Sequence, residues 1–159
     1  MGDTVSRALP FIHSLSGRDI TSYPYFTSKK GWLSASCKLD IHALADYGET
    51  ENLTLSDDLL TQATRLAVAV QCKQVITEDK INLAQVRATK FLNNKSVMLK
   101  MLPATEGAFL QHVLRSALAV LIDKRAHMAR PDIPPYDEFG WILKGSTFVP
   151  VMSLGQQWI

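Results

Sequence analysis

The segment from Thr105 to about His127 constrains this chain more than any other. Leu110, Val113, Leu114, Ala117, Leu118, Leu121 and Ile122 recur at three- and four-residue spacing, so a helix gathers them on one broad apolar stripe. Pro103 precedes the segment. The Thr105 hydroxyl can accept a free N–H of the first turn, and Glu106 sits where the helix dipole favours negative charge. Gln111, Arg115 and Lys124 fall on other faces. A stripe this wide must be covered, and the sequence offers helices at 57–72 and 82–93 to cover it.

Those helices carry their own start signals. Ser56 precedes Asp57 and Asp58, and Leu59, Ala63, Leu66 and Val70 then repeat at helical spacing to about Cys72. Asn82 with Gln85 three residues on is a capping-box arrangement. Leu83, Val86 and Phe91 follow roughly on one side, and Asn93-Asn94 ends the helix. Asp40 to Tyr47 reads as a short helix stopped by Gly48. After residue 130 the pattern changes. Pro131, Pro134 and Pro135 force extended chain, and Trp141–Leu143 and Phe148–Met152 read as two short strands around Lys144-Gly145-Ser146, with Pro150 confining the second to an edge. The first 35 residues read as loop-rich, with a strand end or turn at Leu9–His13 and a helix start near Asp19. The expectation is a mainly α fold, a cluster of three to five helices with a short C-terminal β-hairpin. It divides into a loop-rich 1–35, a helical 36–130 and an extended, Pro-rich 131–159 ending in the hairpin.

Composition narrows the class. The chain is 47% hydrophobic and 20% charged, enough apolar content to bury a core. Its longest apolar run, Ala117 to Ile122, is far short of the ~18 residues that a bilayer-spanning helix needs. No secretory leader is visible, and Cys37 and Cys72 have no metal-type spacing. An intracellular setting, cytoplasmic or nuclear, is therefore expected, with no membrane partner. A net charge of +2 is too small to announce a nucleic-acid footprint.

Few residues qualify for chemistry. Asp19 follows a glycine turn, where a carboxylate can reach a metal or cap a helix. Two divalent cations need several carboxylates, however, and one acid cannot hold them. His112 and Arg115 lie one turn apart on the long helix, where they can meet a phosphate or solvent. Lys29, Lys30 and Trp32, beside Tyr23, Tyr25 and Phe26, form a basic-aromatic segment that can stack on single-stranded bases or pack as core. The serine-nucleophile, phosphate-cradle and paired-histidine patterns are missing from the sequence. The expected partner is accordingly nucleic acid or protein, of unknown identity.

Longer motifs resemble a known group. His13-Ser14-Leu15-Ser16-Gly17-Arg18-Asp19-Ile20-Thr21-Ser22 resembles an "HALTGCDTTS" signature, and Tyr25-Phe26-Thr27-Ser28-Lys29-Lys30-Gly31-Trp32 resembles the small and aromatic residues and "GKKxxW" element that follow it. Residues 102–117 resemble "LPPTSDALxQHxLRA", and 131–141 resemble "PxIPSPxxxGW". These motifs, in this order, belong to uncharacterised, transposon-derived animal proteins similar to PIN-like or flap-endonuclease-like nucleases. The resemblance implies that this chain is the C-terminal part of a PIN-like α/β fold, with 1–35 a remnant of the nuclease region. It implies Asp19 as a metal ligand for Mg²⁺ or Mn²⁺, completed by acids of upstream "DTDV"-type segments. Arg18 stands where the signature has Cys and Ile20 where it has Thr, so a guanidinium neighbour can pair with Asp19. No autonomous catalysis and no cofactor are expected of this chain. Without an N-terminal sheet, an exposed apolar patch is expected near residues 9–32.

Overall fold

The computed structural model describes residues 2–19, 21, 24, 27–49, 53–75, 82–94 and 96–152. Tyr23, Tyr25 and Phe26 of the basic-aromatic segment, with Ile20 and Ser22 of the signature, lie outside the described residues. Six α-helices are present among the described residues: α1 (Asp3–Leu15), α2 (Lys29–Ser36), α3 (His42–Asp46), α4 (Asp57–Cys72), α5 (Leu83–Asn93) and α6 (Glu106–Arg125). Two strands, β1 (Trp141–Lys144) and β2 (Thr147–Pro150), follow a short 3₁₀ turn at Tyr136–Phe139. The mainly helical class with a C-terminal hairpin is the observed one.

The start signals work as the side chains dictate. The Ser56 hydroxyl accepts from Leu59 N–H, Thr105 from Ala108 N–H, and Asn82 and Gln85 close a reciprocal capping box. The strands pair antiparallel, with Trp141 opposite Pro150 and Lys144 opposite Thr147. Gly145, at φ 64°, supplies the positive φ that a two-residue hairpin turn needs at its first position.

α1 is the departure. Residues 9–13 are helix, not a strand end or turn, although Pro10 removes one ladder hydrogen bond. Val5, Ala8, Phe11, Ile12 and Leu15 share its buried face, and that burial outweighs the cost of the proline. α1 packs against α3 and α6, and it is the chief helical partner of α6. α4 touches α6 less, and α5 packs on α4. The cover for α6 thus comes from the N-terminal segment more than from 57–72 and 82–93. Residues 1–35 are not a loop-rich appendage: Phe11, Leu15 and Trp32 belong to the same core as Leu66, Val113 and Leu121. Phe11, Ile12, Leu15 and Trp32 are buried and Leu9 is exposed, while Ile20, Tyr23, Tyr25 and Phe26 of the patch expected near 9–32 lie outside the described residues.

α6 is buried on more sides than a stripe provides. Ala108, Phe109, Ser116, Ala119 and Val120 are buried as well, whereas Leu110 at its N-terminal end is exposed. At its other end Lys124, which the sequence places off the apolar stripe, donates to the carbonyls of Ala45 and Tyr47 and to Glu49 Oε1 at 3.2, 2.7 and 2.6 Å. It thereby satisfies the Ala45 carbonyl in the last turn of α3 and the carbonyl of the Tyr47 cap.

Candidate functional site

The signature residues form a tight turn where α1 ends. Ser16 N–H donates to Ile12 O at 3.0 Å, and Gly17 N–H to Ser14 O at 3.1 Å. Gly17 sits at φ 99°, a conformation that a side chain would strain. Thr21 then closes the turn. Its hydroxyl donates to Ser14 O at 2.7 Å and accepts from Arg18 N–H at 3.0 Å. No helix starts at Asp19. Arg18 and Thr21 form an isolated bridge, and the next helix begins at Lys29 under a Ser28 cap.

Two cations flank this turn. The Lys29 ammonium donates to Gly17 O at 2.8 Å, to Ser16 Oγ at 3.4 Å and to His13 Nδ1 at 3.0 Å. An ammonium donor requires Nδ1 to be the acceptor, so the His13 ring is neutral there with its proton on Nε2. Partial burial lowers the His13 pKa, and Lys29 and Arg18 push it the same way. The Arg18 guanidinium reaches across to Asp123 on α6, not to its neighbour Asp19. The expected Arg18–Asp19 pair is therefore replaced by a tie between the turn and the long helix, 105 residues apart. Asp19 itself is exposed, with no ion pair among the described residues.

From below, α6 holds the turn through His112. The ring is 6% exposed, and its Nε2–H donates to Leu15 O at 2.9 Å. Burial lowers its pKa, the hydrogen bond to Leu15 opposes this, and Arg115 adds to the lowering. Arg115 is 8% exposed, and its Nη1 donates to Gly140 O and Val151 O, each at 3.3 Å. Burial without a carboxylate pulls its pKa down too. His112 and Arg115 therefore lie in neither solvent nor a phosphate path. One fastens the signature turn to α6, and the other fastens the two ends of the hairpin. Trp32 is likewise core, its indole N–H donating to Thr27 Oγ1 at 3.2 Å, and offers no face to a base. Lys29 and Lys30 remain exposed at the start of α2.

Two-metal chemistry needs several converging carboxylates. The turn offers Asp19 and, beyond it, Asp123, whose charge Arg18 already meets; this donor set does not fit a two-metal centre. Among the described residues, no group of three or more His, Cys, Asp or Glu side chains could hold a metal. Nor is any helix among them long and apolar enough to cross a membrane. The ties that organise the site escape sequence reading because most end on backbone carbonyls or span a hundred residues. Comparison with family models, curated proteins and solved structures finds no match to this chain.

Proposed function

We propose that this chain carries the later motifs of a transposon-derived, PIN-like, nuclease-related protein and does not itself cleave nucleic acid. One observation carries the proposal. Arg18, which stands where the resembling signature has Cys, ties itself to Asp123 and so neutralises the acid that could have joined Asp19. The remaining polar groups of the turn, Thr21, Ser16 and Lys29, are engaged in holding its shape. Such a turn is a scaffold element with one outward carboxylate. The test is incubation of the purified chain with flap and single-stranded DNA in Mg²⁺ and in Mn²⁺. No cleavage is expected above that of an Asp19→Ala variant. Cleavage by the wild type that the variant loses would overturn the proposal and favour a nuclease completed by acids of a partner chain.

A second reading, a small helical module that binds protein or nucleic acid, draws on the continuity of the core, in which residues from α1 through the 3₁₀ turn at 136–139 join one cluster. A module gives one sharp cooperative melt on its own, whereas a dependent portion gives a broad one.

A further inference from the structure

The hairpin has two unlike edges. Val151 N–H donates to Gly140 O at 2.9 Å, so Gly140–Val151, Ile142–Val149 and Lys144–Thr147 are the hydrogen-bonded pairs of the ladder. At the alternate pairs, Trp141–Pro150 and Leu143–Phe148, the main-chain groups point away from the neighbouring strand. On β2 that outward row includes Pro150, which has no N–H to offer and guards the edge. On β1 it holds the N–H and C=O groups of Trp141 and Leu143. The sheet has two strands, and no backbone hydrogen bond joins these groups to another element among the described residues. Ile142 and Leu143 stand 45% and 54% exposed along this edge. Its charge is polarised. Asp137 and Glu138 precede β1 and Lys144 ends it, all three exposed and none in an ion pair among the described residues.

We propose that β1 is the docking edge for a second copy of this chain, the two β1 strands pairing antiparallel about a two-fold axis. Open main-chain groups flanked by exposed apolar side chains call for a strand as the occupant. The charges call for this strand. Matching the two outward rows sets Trp141 opposite Leu143 of the second copy, and Ile142 opposite its own equivalent. Each Lys144 then lies toward the Asp137–Glu138 end of the other copy, so each acidic end receives a cation. Pairing in the parallel sense would instead set like charges side by side. Pro150 guards both outer edges of the resulting four-stranded sheet, so the assembly closes at two copies. The edge is four residues long. Interfaces below about 1,200 Å² are weak, so a dissociation constant on the order of 10–100 µM is expected.

Sedimentation velocity of the full chain, from about 5 to about 300 µM, tests the proposal. A monomer–dimer equilibrium is expected. Leu143→Pro removes an outward N–H, as Pro150 does on β2, and should leave monomer throughout with the thermal melt at low concentration unchanged. Lys144→Glu should weaken the dimer about fivefold, and Lys144→Glu combined with Glu138→Lys should restore it. The charge pair decides the matter if the proline variant folds poorly. A dimer formed by folded Leu143→Pro, or a charge reversal without effect or without rescue, would overturn the proposal. So would assemblies that keep growing with concentration. Monomer at every concentration would do the same and leave the edge to a strand of another protein.

Discussion

The α1–α6 seam and α5 are built from similar amphipathic sequence and reach opposite ends. In the seam, α1 buries Phe11, Ile12 and Leu15 against a helix that is itself enclosed, and His112 adds a buried hydrogen bond across the join. α5 has the better start signal, a complete capping box and no proline, yet buries only Leu83 and Val86 and leaves Phe91 and Leu92 outside. Local signals decide whether a helix forms, and the partner it finds decides what it contributes. A helix interrupted by proline can be central, and a well-capped one peripheral.

This contrast can be broken at its strongest point first. Phe11→Ala removes a fully buried ring that meets Tyr47 edge-on, with centroids 5.5 Å apart. A loss of about 3–5 kcal/mol is expected in urea melts, the range for emptying a core phenylalanine. A loss below about 1 kcal/mol would mean that the seam is not the centre of the fold. His112 sharpens the comparison through pH. Its folded pKa lies below the unfolded value of about 6.5, so the unfolded chain binds more protons, and its contribution is complete above that value and declines as pH falls through it. His112→Gln keeps a donor for Leu15 O and removes the titration. The fall in stability between pH 7 and 5 should therefore be shallower in the variant, while His42, whose pKa Asp40 raises, acts in the opposite sense in both proteins. Identical slopes would show that the ring is not held neutral by the seam. Leu92→Ala should be nearly silent, within about 0.5 kcal/mol in the same melts, as expected at an exposed position. A larger loss would show that α5 is packed by something beyond α4.

Much of this architecture can be read from residue order, and the reason it can is local. Ser56, Asn82 with Gln85, and Thr105 act on N–H groups two or three residues away, and the hairpin is fixed by Gly145 between two apolar runs. What escapes reading is non-local. Pro10 argues against a helix by every short-range rule, and only the packing of the face it sits behind overcomes that bias. His112 and Arg115 look like a polar pair on a surface helix because their partners, Leu15 O, Gly140 O and Val151 O, are main-chain atoms that leave no mark on composition. Trp32, beside two lysines, resembles a stacking platform and is core. In the signature turn, the acid after the glycine is legible as Asp19, but the choice of Asp123 as the partner of Arg18 depends on where α6 ends.

Gly140 leaves the hairpin unequally open to change. At φ 76° its carbonyl receives both Arg115 and the N–H of Val151, and a Cβ there would stand 2.9 Å from Gln111 Oε1 and 3.2 Å from that residue's own carbonyl. Apart from Trp141, which leans on the core, and the half-buried Val149, the strand side chains beyond it face water and tolerate exchange. The corner is not: a single added methyl would press on the backbone of α6 itself, and a lineage that lost this glycine would have to re-route the chain's tail.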